Sequence, residues 1–452
     1  MGNLDNFEGE TFAPTASKKV LWLLYAVCIL LGLVRQFFDI TGAFMAERTT
    51  RDVYVTIDGE FFKLVYSLYG LDDAAKVFND GLVLHLQAGG YIQSKWDQCL
   101  FIKWTSVCSF TFVVVHVDDF NVNATSIKEL DEFGAYLRAK YPVTENSDGV
   151  YLGTRISLQP DGSSIFTKPY QLAAIFAKYL PDGPLYAIPS DPLTESYIRN
   201  FEMDSPLCDS NSFRSLLGAL QQLLDTRPDI CFPLSKIAQK TQTPREKDLL
   251  ALMHIVHYLY GTVNKGLRLR PGDRASATTA VKLRGYADCG YACHGNGKSQ
   301  YCICFDIVPE ASHDDISPLQ NIMRTGMFYF KSWMALTVDL SSCEGEAGTV
   351  VELAKDCILY RGILEEMHLP QVLPTPLYND NKSTITLATK YSGNHKRVRY
   401  MLPRVNWLIE KGKEQIFRLL YLQSADLPPD LGTKRHGGAI FRQKNDGVLG
   451  QF

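Results

Sequence analysis

At 452 residues and 46% apolar content, the chain is long enough for two or three domains with packed cores. Its 46 basic and 49 acidic side chains leave a formal net charge of −3, which excludes a uniformly basic surface, so contacts with phosphates would have to be local. Eleven cysteines, an odd number without the spacing of a small secreted domain, exclude a disulfide framework and fit a reducing compartment.

Along the chain, Val20–Val34 comes first, an uncharged run of fifteen residues behind Lys18-Lys19. It falls short of the ~18–20 residues that span a bilayer, and no small-residue cleavage site follows, so it reads as a buried core helix. Gln36–Phe44 is a short apolar segment ending in Asp39, with an aromatic five residues on. Phe110–Asn121 is a run of β-branched and aromatic residues that stops at Asp118-Asp119 and reads as a buried strand. At about 4 Å, two carboxylates repel by about 1 kcal/mol in water and about 4 kcal/mol at an intermediate dielectric. A divalent metal turns that cost into binding, and if both segments share a sheet, Asp39 can join Asp118 around it.

Gln159–Asn211 holds seven prolines and predicts a helix at Tyr170–Tyr179 followed by a loose linker. Thr243–Gly261 carries Leu249, Leu252, Ile255, Val256 and Leu259 at helical spacing. From about residue 280, strands and helices alternate as in a mixed α/β layer. Cys289, Cys293, His294, Cys302 and Cys304 lie close together, but without a C-x₂-C pair. Cys302 and Cys304 alternate as inward-facing strand residues, so buried thiols are the better reading than zinc ligands. Four further acids end predicted elements: Asp288, Glu346 in Ser341-Ser342-Cys343-Glu344-Gly345-Glu346, Asp380 and Asp430. Lys396, Arg397, Arg399, Arg404, Lys411 and Lys413 predict a positive face.

Asp39…Ala43-Phe44, Ser67-Leu68-Tyr69-Gly70-Leu71 and Val117-Asp118-Asp119 resemble, in order, the three central motifs of a copia-type retrotransposon reverse transcriptase. Glu10-Thr11-Phe12-Ala13-Pro14, Tyr151-Leu152-Gly153, Phe213–Gly218, Thr226-Arg227-Pro228-Asp229-Ile230 and Tyr258–Thr262 resemble further blocks of that family. The T-R-P-D-I block is very specific, and no general structural rule demands it. The last third is similar to the ribonuclease H domain that follows in these elements. The resemblance runs from about Gly9 to about Lys434.

The resemblance implies an α+β fold: a right-hand polymerase palm and fingers remnant over 1–160, thumb and connection over 161–275, and a ribonuclease H-like mixed α/β domain over 276–452. It implies catalytic, Mg²⁺-ligating carboxylates at Asp39, Asp118 and Asp119, and a second set at Asp288, Glu346, Asp380 and Asp430, with two ions per site. Phe44, Tyr69, Gly70 and His116 would line the nucleotide and primer. The implied partners are an RNA template, a DNA primer, RNA–DNA hybrid and deoxynucleoside triphosphates, without stable membrane association. The implied setting is a cytoplasmic virus-like particle with nuclear entry.

Some positions depart from the family. Asp72 and Asp73 replace a lysine and a glutamine expected near the incoming nucleotide, and two anions beside a triphosphate should cost several kcal/mol unless they turn away. His116 stands where the family has tyrosine, and Arg397 where it has an acid. These changes predict weakened or lost polymerisation. Two alternatives follow: a non-catalytic remnant that binds nucleic acid or protein, and a membrane-anchored α/β protein resting on Val20–Val34.

Overall fold

In the computed structural model, residues 9–106, 108–271, 281–309, 325–389 and 400–451 are described. Met1–Tyr151 and Leu152–Phe452 form two compact units. Both mix helices and strands, so the α+β class expected from the sequence is the one observed.

The first unit is a six-stranded, fully antiparallel sheet with helices. Its strands are β1 (Val34–Ile40), β4 (Ile92–Gln93), β5 (Leu100–Ser106), β6 (Ser109–His116), β7 (Asp119–Ala124) and β8 (Val143–Asn146), in the order β4-β5-β6-β7-β1-β8. A separate ribbon pairs β2 (Tyr54–Ile57) with β3 (Glu60–Lys63). The uncharged run forms α1 (Lys18–Leu31), whose residues Val20–Ile29 are all buried. A helix that is apolar all round belongs in a core, where each large side chain contributes roughly 1.5–3 kcal/mol. Gly32 stops it in the left-handed conformation (φ +67°), its N–H bonded to the Cys28 and Ile29 carbonyls. Among the described residues, no helix is long and apolar enough to cross a membrane. α2 (Ala74–Ala88) and α3 (Ile127–Arg138) complete the unit. α3 begins with a capping box in which Glu129 accepts from the Ser126 N–H at 2.6 Å.

In the second unit, α4 (Pro169–Tyr179), α5 (Glu195–Arg199), α6 (Ser210–Gln221), α7 (Cys231–Ala238) and α8 (Glu246–Gly261) share a core containing Leu216, Leu220, Leu252, Ile255 and Leu259. The predicted helices at 170–179 and 243–261 are thus present as α4 and α8. The segment between α4 and α5 is pinned rather than loose. The Leu185 N–H donates to His257 Nε2 at 3.0 Å, Tyr186 stacks on the His257 ring at 3.8 Å, and His254 Nε2 lies 3.0 Å from the Asp191 carbonyl.

The T-R-P-D-I block turns out to have a structural reason. Arg227, only 1% exposed, pairs with Asp229 at 2.8 Å and donates to the Thr262 carbonyl at 3.1 Å, while the Tyr258 hydroxyl donates to Asp229 at 2.7 Å. Buried charges of this kind are tolerated only when paired and hydrogen-bonded throughout, which makes the whole block interdependent.

A five-stranded mixed sheet follows, built from Val281–Gly290, Gln300–Pro309, Tyr329–Met334, Thr375–Asn379 and Phe417–Tyr421. The first of these strands is central. It runs antiparallel to Gln300–Pro309 and parallel to Thr375–Asn379, which is itself parallel to Phe417–Tyr421. Tyr329–Met334 pairs on the outer side of Gln300–Pro309. Cys302 and Cys304 are fully buried strand residues, as their alternation implies. The helices here are Ser342–Glu366, Lys382–Thr389, Leu402–Lys413 and Gly438–Leu449.

Candidate functional site

The first acidic group is made by strand register. β6 and β7 form a hairpin in which His116 faces Asp119, leaving only Val117 and Asp118 in the turn. Val117 has φ +60°, a conformation that costs a β-branched residue of order 1–3 kcal/mol and that tends to be retained at functional sites. β1 lies on the other side of β7, with Asp39 opposite Asp119. The two acid-bearing segments therefore share a sheet with β7 between them, and the Ile40 N–H beside Asp39 donates to the Asp118 carbonyl at 3.0 Å. Burial pushes the Asp119 carboxyl up to about 6, with the charges of Asp118 and Asp39 adding to it. The Thr144 hydroxyl donates to Asp39 Oδ1 at 3.4 Å.

The other sequence candidates of this unit fall around a short turn. Phe44 lies on the turn Ala43–Ala46, its ring 4.9 Å from Tyr69 and 6.2 Å from Phe78. Gly70 adopts φ +96°, where a side chain would be strained. His116 Nδ1 is buried and has no hydrogen-bond partner among the described residues. The penalty expected from Asp73 is cancelled. Its buried carboxylate takes two hydrogen bonds from Arg51, Nε at 3.0 Å and Nη2 at 3.1 Å. Such a bidentate pair is electrically neutral, so Asp73 presents no net anion. Asp72 is exposed.

The second acidic group is more enclosed. Carboxylate oxygens of Asp288, Glu346 and Asp380 all lie within 4.8 Å of one another, and among the described residues this is the one such cluster. Asp288 comes near the end of the central strand and Asp380 directly after Thr375–Asn379, so two parallel neighbours deliver their acids to the same sheet edge. Glu346 projects from the first turns of the long helix Ser342–Glu366. Glu344 is employed elsewhere, accepting from the Leu340 N–H at 2.7 Å at the helix start.

Several polar groups that sequence reasoning had not singled out hold this set. The Asn379 amide donates to Glu346 Oε2 at 2.8 Å and to the Ala287 carbonyl at 3.1 Å. The Thr433 hydroxyl donates to Asp288, and the Ser424 hydroxyl to Asp380. Burial pushes Asp288 up to about 6 against the opposing charge of Lys434 and the Thr433 hydrogen bond; Asp430 and Asp380 raise it further. Glu346 is raised well above the usual carboxylate range by burial and then by Asp288.

Asp430, the fourth candidate, lies outside that three-acid cluster. It sits on the short 3₁₀ turn Pro428–Gly432 and is held by two lysines and a histidine: Lys434 at 2.7 Å, His436 Nε2 at 2.9 Å and Lys444 at 2.9 Å. Burial acts to raise its pKa, but the hydrogen bonds from His436 and Lys434 and the charges of the two lysines hold it well below the usual range. Of the expected positive face, Lys396, Arg397 and Arg399 lie outside the described residues. Lys411 pairs with Glu414 at 2.9 Å, Arg404 lies 3.8 Å from Glu344, and Lys413 is exposed.

Residues 3–181 match the family model described as reverse transcriptase (RNA-dependent DNA polymerase). The retrovirus-related Pol polyprotein from transposon RE1 of Arabidopsis thaliana is 24% identical over 438 residues, covering 94% of this chain and 28% of the relative. The corresponding polyprotein from transposon RE2 of the same plant is 23% identical, with the same coverage. A putative transposon Ty5-1 protein of Saccharomyces cerevisiae is 26% identical over 254 residues, covering 53% of this chain and 80% of that protein. The chain thus spans less than a third of the length of the plant polyproteins. A solved foamy viral protease-reverse transcriptase in complex with RNA/DNA hybrid aligns with 92% of this chain and 47% of its own, at 13% identity and a TM-score of 0.47. Residues 3–181 therefore belong to the reverse transcriptase family, within a chain homologous over 94% of its length to copia-type retrotransposon Pol polyproteins.

Proposed function

We propose that this chain is the reverse transcriptase–ribonuclease H portion of a copia-type Pol polyprotein. Its polymerase chemistry is assigned to Asp39, Asp118 and Asp119. Its cleavage of RNA in RNA–DNA hybrid is assigned to Asp288, Glu346, Asp380 and the neighbouring Asp430. The division into 1–160, 161–275 and 276–452 goes with this reading, as do a template RNA, a DNA primer and deoxynucleoside triphosphates as partners. The observation that carries it is the register pairing of Asp39 with Asp119 beside the Val117–Asp118 turn, inside the segment that matches the reverse transcriptase family.

Both groups fit divalent magnesium by donor type, since each offers only carboxylate oxygens, the ligands a small hard cation prefers. The first group would hold it with Asp39, Asp118 and Asp119, the second with Asp288, Glu346 and Asp380. A bound ion there supplies Lewis acidity to the phosphate and eases deprotonation of the attacking hydroxyl or water.

The protein's own groups do the positioning. Thr144 donates to Asp39, and the turn at Val117 brings Asp118 and Asp119 to the end of the hairpin. Phe44, wedged against Tyr69 and Phe78, is poorly placed to swing away, as a shape filter at the sugar 2′ position requires. Asn379, Thr433 and Ser424 fix the Glu346, Asp288 and Asp380 carboxylates. Neutralisation of Asp73 by Arg51 removes one of the two anions that argued against nucleotide binding.

The test is primer extension on an RNA template with Mg²⁺, with cleavage of the RNA strand read in the same tube. Asp118→Asn should abolish extension and leave cleavage, and Asp288→Asn should do the reverse. Folded wild-type protein that does neither would leave only a nucleic-acid- or protein-binding remnant.

A further inference from the structure

The helix Gly438–Leu449 carries Phe441, Lys444, Asn445 and Val448 at i, i+3, i+4 and i+7, which puts them on one face. Phe441 and Val448 lie in the same buried core as α6 and α8, and so does Leu431 from the turn that carries Asp430. The two polar residues of this face bond in different directions. The Asn445 amide donates to the Tyr258 hydroxyl at 3.3 Å, and that hydroxyl donates to Asp229, the partner of Arg227. The Lys444 ammonium pairs with Asp430 Oδ2 at 2.9 Å and donates to the Ser424 and Ala425 carbonyls at 3.1 Å each. Ser424 in turn donates its hydroxyl to Asp380. Adjacent residues of one helix thus join the buried Arg227–Asp229–Tyr258 network to two of the four candidate acids.

Asn445 is an expensive choice for its position. It is 1% exposed, and its Oδ1 has no hydrogen-bond partner among the described residues. A buried amide with an unpaired oxygen costs stability that a leucine of similar volume would not, so stability alone does not account for it.

We propose that Lys444 is a positioning residue of the nuclease site, setting Asp430 directly and Asp380 through Ser424, and that Asn445 fixes the rotation of the helix that delivers it. The T-R-P-D-I network then serves as the frame against which these acids are held. This rests on the reading of the second acidic group as a nuclease centre. Asp430 Oδ1 takes a single hydrogen bond, from Lys434 at 2.7 Å, so the arrangement leaves it able to meet an ion.

Steady-state cleavage of RNA–DNA hybrid by the full chain tests this, with amide hydrogen exchange over Ser424–Gly432 as a readout that needs no catalysis. Asn445→Leu should lower kcat roughly tenfold with KM and the unfolding midpoint unchanged, because slightly displaced carboxylates lose rate rather than hybrid affinity. Exchange over Ser424–Gly432 should quicken roughly tenfold while the central strand Val281–Gly290 stays protected. Lys444→Met should lower kcat at least as far, and adding Asn445→Leu to it should cost nothing more, since both act along one path. A merely structural asparagine would instead lower the midpoint and add in full to Lys444→Met. Wild-type kcat in Asn445→Leu would overturn the proposal, as would full additivity of the two substitutions. Should Lys444→Met fail to fold, Tyr258→Phe breaks the same link from the other side, and its kcat loss should not add to that of Asn445→Leu. Should wild type not cleave, the nuclease reading falls. Exchange then decides the link itself: faster exchange over Ser424–Gly432 in Asn445→Leu upholds it, and unchanged exchange overturns it.

Discussion

Asp119 is partly buried at a hairpin end, and the charges that act on it are those of Asp118 and Asp39. Asp288 is buried, with the Thr433 hydroxyl bonded to it and the Lys434 charge opposing its neighbours. Burial is the largest cause in both cases, and both carboxyls arrive at about 6. The similar values conceal different designs. The first site stores like-charge repulsion that an external cation must relieve, whereas the second carries part of its own compensation. Ion binding should thus be felt more strongly in the stability of the first site, and a resident lysine more strongly in the second.

The largest expected effects separate the two sites outright. Asp118→Asn should lower primer extension by roughly 10³-fold or more and leave hybrid cleavage intact; Glu346→Gln should do the opposite. Loss of both activities in either variant, measured in folded protein, would show that the two groups do not act separately.

Next comes Arg227→Ala, which leaves Asp229 buried without its partner and should cost about 3–5 kcal/mol. Denaturant unfolding followed by limited proteolysis should then show residues 152–452 opening first. A variant as stable as wild type would mean that Tyr258 alone satisfies Asp229.

A smaller effect concerns pH. The folded-state pKa of Asp119 lies above its ordinary value, so between about pH 4 and pH 6 the native state binds more protons than the unfolded one. The Asp119 contribution to stability is therefore most favourable at low pH and is lost as pH rises through that window. In chelator, Asp119→Asn should melt higher than wild type near pH 7 and no higher near pH 4, and Mg²⁺ should narrow the difference. An equal gap at both pH values would show that the carboxyl is not perturbed as described.

The smallest effect is expected at Glu344. Because it serves the helix start rather than the cluster, Glu344→Gln should change cleavage by less than about threefold. A loss comparable to that of Glu346→Gln would place it in the chemistry after all.

Much of this was legible in the residues themselves. Unbroken apolar runs marked α1 and β6, and 3.6-residue spacing marked α8, because burial leaves a periodic trace in sequence. Glu346, and Asp119 beside Asp118, were named as candidates from motif order alone. Other features left no local trace. Neither Arg51 nor Asp73 betrays the pair they form across twenty-two positions, and nothing near Asp430 forecasts two lysines and a histidine on one carboxylate. The T-R-P-D-I block had the look of a functional signature, and proved to be a buried network spanning Arg227, Asp229, Tyr258 and Thr262.

By itself, then, the sequence determined the family, the α+β class, the order of elements and the identity of the candidate acids, since these depend on residue type and spacing along the chain. Only the tertiary structure decided that β7 lies between the strand that carries Asp39 and the one before Asp118. It alone set Asp288, Glu346 and Asp380 together while Asp430 went to Lys434, His436 and Lys444. Charge compensation is a property of distance in space, and groups far apart in sequence acquire it only when the sheet and helices bring them within reach.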